Sequence, residues 1–204
     1  MIVLNSIMAT QLKVFKIAVD KRIDKGEAKD EAILKELQIL IRDSKKIRFE
    51  GNGYSEEWEI EAAARGLSNI KSTPKSLDVY VTPESLELFE ALGIYTKRES
   101  EARHEILLEN FFKKLQIEAR VIGEVVTSQI APACLTYQNE LIQNVKGLKD
   151  LGLPKESYSS QLNYLERISK HVNTILEKAE EMRQARKKAN TIDDVREKAL
   201  AYDE

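Results

Sequence analysis

Apolar residues recur every three or four positions through the first two segments of the chain, the spacing of one face of an α-helix. The first stripe ends at Gly26 and a second begins near Asp30, which predicts an antiparallel helical hairpin over residues 1–46. Residues 1–12 are uncharged, but they lack a basic start and a cleavage site. They are also shorter than the roughly 20 residues that span a bilayer, so we expect a buried helix. The stripes comprise Leu4, Ile7, Met8, Leu12, Phe15, Ala18, Val19 and Ile23, then Ile33, Leu37, Leu40 and Ile41.

Residues 47–95 are broken by Gly and Pro, and they predict short helices in an irregular cap. Ser55 is the type of residue that caps a helix N-terminus, and Gly66 the type that follows a helix end. Thr73 and Thr82 each precede a proline. Because proline is favoured in the first turn of a helix, both threonines are predicted to cap helices.

The remaining residues, 96–204, predict long helices. Thr96 and Glu99 have the spacing of a capping box, and apolar residues then keep a three-four spacing to about residue 149. We expect Pro132 to kink this helix, because the helical pattern continues on both sides. Such a helix would be about 80 Å long, more than a compact domain spans, so part of it would project or serve an assembly. A second long stripe comprises Leu165, Ile168, Val172, Ile175, Ala179 and Met182.

These patterns predict an all-α fold, a long antiparallel helical bundle with a small irregular insertion. The insertion holds the only extended stretches, and pairing of residues 47–50 with 78–81 would give at most a two-stranded β patch. We expect residues 1–46 (helical hairpin), 47–95 (irregular cap) and 96–204 (long-helix bundle) to form one domain.

Composition excludes some functions. The 32 Lys and Arg against 34 Asp and Glu leave a net charge of −2, so no global basic field marks a nucleic-acid binder. The single cysteine, Cys134, excludes an internal disulfide and a thiolate metal cluster. We therefore expect a cytoplasmic protein in which Cys134 is a packing residue.

One pair of residues has metal-ligand spacing. Glu101 and His104 stand three residues apart on a predicted helix, as in di-iron carboxylate bundles. Those sites need a second such pair, and the only other histidine, His171, has no glutamate three residues before it. We therefore interpret His104 as a surface histidine, and a ferritin-like metal enzyme is the least favoured alternative.

The Gly51-Asn52-Gly53 segment precedes a helix start and could present backbone N–H groups to a phosphate. It lacks the flanking residues of both the P-loop and the dinucleotide-binding fingerprint. It is therefore predicted to be a turn in which the glycines adopt positive φ.

Four stretches resemble, in the same order, type III glutamine synthetases. They are residues 2–5, 48–67, 101–110 and 129–133, and the resemblance extends over nearly the whole chain before it weakens after about Leu148. The matching residues that we expect to be structural are Gly51, Asn52, Gly53, Tyr54, Ser55, Trp58, Arg65, Gly66, Arg103, Glu109 and Pro132.

The resemblance implies a parent enzyme that makes glutamine from glutamate, ammonia and ATP with Mg or Mn. It implies that ATP, metal and catalytic residues lie in a β-rich catalytic domain preceding this region. None of that domain's motifs occurs here, so we expect no catalytic, cofactor-binding or metal-binding residue and no activity of the chain alone. The expected chain is the carboxy-terminal helical region of the enzyme, cut after the catalytic core and before the family's own end. Separated from that core, part of the apolar stripe from Leu4 to Val19 is expected to lie bare and to drive self-association.

The implied partners are the catalytic domain and other subunits of a large double-ring homo-oligomer, with neither nucleic acid nor membrane. An alternative from the residues alone is a free-standing coiled-coil scaffold, or interaction protein, with no enzymatic parent.

Overall fold

The computed structural model describes residues 2–204, and the regular structure within that range is helical throughout. The chain divides into two compact units, a first that ends at His104 and a second over Glu105–Glu204. The all-α prediction is confirmed, whereas the division into three segments stays a prediction. The α-helices are α1 (Ile2–Ile23), α2 (Lys29–Asp43), α3 (Glu56–Ala64), α4 (Thr73–Leu77), α5 (Pro83–Ala91), α6 (Lys97–Val125), α7 (Ala131–Asp150), α8 (Ser159–Asn190) and α9 (Val195–Asp203).

The suggested β patch is wrong, because no strand forms among residues 2–204. Asp78–Val81 is one turn of 3-10 helix, and a second such turn, Ser44–Ile47, follows α2. The backbone N–H of Thr82 donates to the carbonyl of Val79 at 3.4 Å. Because backbone N–H and C=O groups are already hydrogen-bonded within such turns, they do not pair with a neighbouring strand.

Helices α1 and α2 pack against each other, with Gly26 at φ 91° in the turn that connects them. Arg22, near the end of α1, pairs with Glu36 of α2 and with Glu27 of the turn. Ala32 is fully buried.

The expectation of a buried first helix is wrong within this chain, whereas the expectation that part of its apolar stripe lies bare is confirmed. Only Ser6 and Val19 of its 22 residues are buried, and most of its large apolar side chains are exposed. The 15-residue α2 is too short to cover its partner. In length and composition α1 could also cross a membrane, a property shared by signal sequences and by core helices of soluble proteins.

The helix starts follow local capping rules. Thr82 caps α5 by accepting the N–H of Ser85 at 3.4 Å, as predicted, but Ser72 rather than Thr73 caps α4. Thr96 and Glu99 form the predicted capping box, since each accepts the backbone N–H of the other, at 3.3 and 2.8 Å.

The long helix passes Pro132 without ending, as predicted, but its irregularity precedes the proline. Val126–Ile130 is a π-helical turn, and the N–H of Ala131 donates to the carbonyl of Val126. Pro132 has no N–H, and its ring crowds the carbonyl of residue 128, so the preceding turn widens. In the second unit α7 packs on α8, and the buried apolar residues include Leu108, Phe112, Val126, Ala131, Val172, Ala189 and Ala199.

Candidate functional site

The turn before α3 brings together most of the residues that carry the family resemblance. Asn52 organises it, because its side-chain oxygen accepts the N–H of Tyr54 at 3.1 Å and its carbonyl accepts the N–H of Ser55 at 3.0 Å. The prediction of positive φ at Gly51 and Gly53 is wrong. Instead, a Cβ on Gly51 would lie 2.7 Å from the Phe49 ring, whereas a Cβ on Gly53 would meet no atom within 4 Å. Gly51 therefore provides space rather than an unusual backbone conformation.

Trp58 lies at the centre of this segment. Its ring stacks on Phe49 with centroids 4.3 Å apart and planes 25° from parallel. The guanidinium of Arg65 lies 5.4 Å from the ring centroid of Trp58. Such aromatic and cation–π contacts stabilise a fold by about 0.5–1.5 kcal/mol each. We call residues 48–66 the signature cluster.

Ser55 begins α3 as predicted. Its hydroxyl oxygen accepts the N–H of Trp58 at 3.4 Å. The Ser55 hydroxyl and a backbone N–H also hold the pKa of Glu57 below its ordinary value. An acidic side chain in the first helical turn is favourable because it faces the positive end of the helix dipole.

Arg65 connects the end of α3 to the chain that follows α2. One terminal nitrogen donates to the carbonyls of Lys46 and Arg48 at 3.2 and 2.7 Å, and the other pairs with Glu61. Gly66 follows in the left-handed conformation, at φ 72°, that ends helices. Two stretches of chain 17–19 residues apart are thereby held together.

Tyr54 is completely exposed, although it is a large aromatic residue. The structure gives it no side-chain contact that would explain its presence at the tip of the turn.

The other residues of the resemblance lie elsewhere. Arg103 places its guanidinium 4.5 Å from the ring centroid of Tyr95, and Glu109 pairs with Lys113 one turn along α6. Pro132 lies in the first turn of α7. The structural role of all eleven residues stays a prediction.

His104 is not the surface residue that its sequence context suggests. Its Nε2 lies 3.1 Å from Oδ1 of Asp78, and its side chain is only 13% exposed. Glu101 instead faces Lys97 at 3.8 Å. Within residues 2–204 no three His, Cys, Asp or Glu side chains converge as a metal site would need. The contact of His104 with Asp78 was missed because 26 residues separate them and no motif links them.

Comparisons with known proteins give consistent matches. Residues 32–149, more than half of the chain, match the family described as the glutamine synthetase C-terminal domain. The chain is 40% identical to a glutamine synthetase of Bacteroides fragilis over 208 residues, which cover all of this chain and 28% of that protein. It is 30% identical to a glutamine synthetase of Butyrivibrio fibrisolvens, over 87% of this chain and 25% of that protein. It is 29% identical to a type-3 glutamine synthetase of Dictyostelium discoideum, over 86% of this chain and 24% of that protein. The chain thus spans about a quarter of the length of these relatives, and the alternative of a scaffold without enzymatic relatives loses its basis.

Proposed function

The chain belongs to the glutamine synthetase C-terminal domain family, and we propose that it is the helical, non-catalytic part of a type III glutamine synthetase. The match to a relative named as a type-3 enzyme supports the type. The activity proposed for the whole enzyme is the ATP-dependent ligation of ammonia to glutamate.

The donor groups of this chain do not fit the cofactors of that reaction. Mg and Mn prefer several carboxylate ligands, and residues 2–204 bring no three metal-ligating side chains together. We therefore assign ATP and the metal ions to another part of the enzyme, and the chain alone makes no glutamine.

The exposed apolar surface of α1 is the observation that carries the proposed structural role. Leu4 is 66% exposed and Leu12 62% exposed, although both are large apolar side chains on a regular helix. Burying a side chain of this kind is worth about 1.5–3 kcal/mol, and extensive exposed apolar surface marks an interaction site. This surface, which we call the α1 surface, comprises Leu4, Ile7, Met8, Leu12, Val14 and Ile17.

A protein suits the α1 surface better than a lipid bilayer does. Lys13 and Lys16 lie near the middle of α1. Insertion of the helix would place two ammonium groups in the hydrocarbon core, at about 2.5–3.5 kcal/mol each. The α1 surface therefore packs against the rest of the enzyme or against other subunits of a homo-oligomer. The proposed compartment is the cytoplasm, in keeping with a single cysteine.

Light scattering on the chain alone tests this role. An uncovered α1 surface is expected to drive self-association, so the molar mass rises with concentration. Leu12→Glu places a charge on that surface and is expected to keep the chain monomeric. Leu151→Glu is the matched control, because Leu151 is 80% exposed and lies outside α1; it is expected to associate like the unmodified chain.

A strict monomer at high concentration would contradict the proposed role of the α1 surface. Equal effects of the two substitutions would contradict it too. If the chain sediments with neutral lipid vesicles and Leu12→Glu abolishes this binding, the α1 surface binds a membrane instead.

A further inference from the structure

An open pocket of about 620 Å³ lies in the first unit, between the end of α2 and the end of α3. This volume lies in the range of roughly 300–1,000 Å³ that small-molecule sites occupy. Every lining side chain is charged, which sets the pocket apart from the apolar α1 surface. The lining residues, which we call the basic pocket, are Arg42, Asp43, Lys45, Lys46, Arg48, Glu50 and Arg65.

The basic pocket has an excess of positive charge, five cations against two carboxylates, although the whole chain carries −2. Asp43 forms an ion pair with Arg42 at 3.6 Å, and Arg65 forms one with Glu61, which lies outside the pocket. Within the described part of the chain Lys45 and Lys46 make no ion pair. A concave surface with uncompensated cations concentrates anions from solution.

The backbone beside these two lysines is fixed before any ligand arrives. Arg65 donates to the carbonyls of Lys46 and Arg48. Arg48 in turn donates to the carbonyl of Ile41, in α2, at 2.8 Å. Because the segment is tied to both helices, less conformational entropy is lost when an anion binds.

We propose that the basic pocket binds a small polyphosphate anion, with Lys45 and Lys46 as its principal contacts. A Lys ammonium offers three donors and a compact charge, and an Arg guanidinium offers paired donors that match phosphate oxygens. Several adjacent cations suit a ligand with several negative charges, whereas a monocarboxylate brings only one. The proposal is independent of the α1 surface, which shares no residue with the basic pocket.

Isothermal titration calorimetry of the full chain with tripolyphosphate tests the proposal. Saturable binding of one equivalent is expected, with orthophosphate weaker by about tenfold because it carries fewer charges. The double variant Lys45→Gln with Lys46→Gln is expected to weaken tripolyphosphate binding by at least about tenfold. Lys45→Arg with Lys46→Arg retains both charges and is expected to bind.

The matched control removes two charges from an exposed adjacent pair on α8, through Lys187→Gln and Lys188→Gln. It is expected to leave the affinity unchanged. Absence of saturable binding would overturn the proposal, and so would equal weakening by the two glutamine variants, since that would indicate general attraction. Tighter binding of poly-glutamate than of tripolyphosphate would also overturn it, by assigning the pocket to an acidic protein segment.

Discussion

At the scale of single residues, Trp58 and Arg65 explain why the signature cluster keeps its shape. The ring of Trp58 contacts both an aromatic ring and a guanidinium, and the same guanidinium donates hydrogen bonds to two backbone carbonyls. Each hydrogen bond to a carbonyl contributes about 0.5–1.5 kcal/mol net, so Arg65 stabilises the segment by more than its ion pair with Glu61. All of these contacts lie within the first unit, in keeping with a structural role.

Gly51 offers the sharpest residue-scale prediction. Gly51→Ala would place a Cβ 2.7 Å from the Phe49 ring, so the ring must move and its stacking on Trp58 weakens. Gly53→Ala is the matched control, because a Cβ there meets no atom within 4 Å. Both substitutions restrict the unfolded chain equally. Gly51→Ala is therefore expected to have a free energy of unfolding lower by about 0.5–1.5 kcal/mol than Gly53→Ala.

Denaturant titrations followed by fluorescence measure this difference, because Trp58 is the only tryptophan of the chain and reports its own surroundings. Equal unfolding free energies, together with unchanged native fluorescence in both variants, would show that Phe49 does not depend on the glycine.

The residues of this cluster were predictable from the sequence, but not all of their roles were. The cap at Ser55 and the stop at Gly66 were predictable, because both depend on the local backbone alone. The role of Gly51 was not, since a glycine can provide either space or a positive φ and its sequence context does not distinguish the two. The contact of His104 with Asp78 depends on chain folding over 26 residues, which no local pattern encodes.

At the scale of elements, the helix ends account for most of what was predictable. Capping places a polar side chain next to backbone N–H groups that have no partner in the helix, so a few residues suffice to mark the start. The capping box of α6 follows this rule, and so does Asp194, which accepts the N–H of Glu197 at 2.8 Å at the start of α9. The π turn before Pro132 was not predictable, because proline excludes one hydrogen bond without specifying how the preceding turn adjusts.

The capping box predicts a pH-dependent stability. The N–H and hydroxyl of Thr96 hold the pKa of Glu99 below its ordinary value of 4.5. A carboxylate with a lowered folded-state pKa stabilises the fold above its unfolded pKa, and the contribution is lost as the pH falls through the folded-state pKa. Glu99→Gln is therefore expected to lower the Tm at pH 7. The difference in Tm between this variant and the unmodified chain is expected to disappear at acid pH.

Thermal unfolding followed by circular dichroism measures this difference. Glu105→Gln is the control, because Glu105 is exposed on the same helix and makes no ion pair within residues 2–204. It is expected to leave the Tm unchanged. A Tm difference for Glu99→Gln that stays constant from neutral to acid pH would mean that the charge of Glu99 does not stabilise α6.

At the scale of the whole molecule, the sequence predicted the fold class, the family and a partly bare α1, but not which segment covers that helix. Helical spacing identifies the side chains that need a partner, yet it does not say whether the partner belongs to the same chain. The 15 residues of α2 are the nearest candidate in sequence, and they leave most of the longer α1 uncovered. The relatives, of which this chain spans about a quarter, supply enough further chain to cover such a surface.

The most direct measurement uses a hybrid enzyme, in which this chain replaces the matching segment of the Bacteroides fragilis glutamine synthetase. The chain is 40% identical to that segment. Glutamine synthesis and native mass of the hybrid are then compared with and without a change in the α1 surface. We predict an active, assembled hybrid that Leu12→Glu impairs and Leu151→Glu does not, and no glutamine synthesis by the chain alone. An active, fully assembled Leu12→Glu hybrid, or glutamine made by the isolated chain, would contradict this prediction.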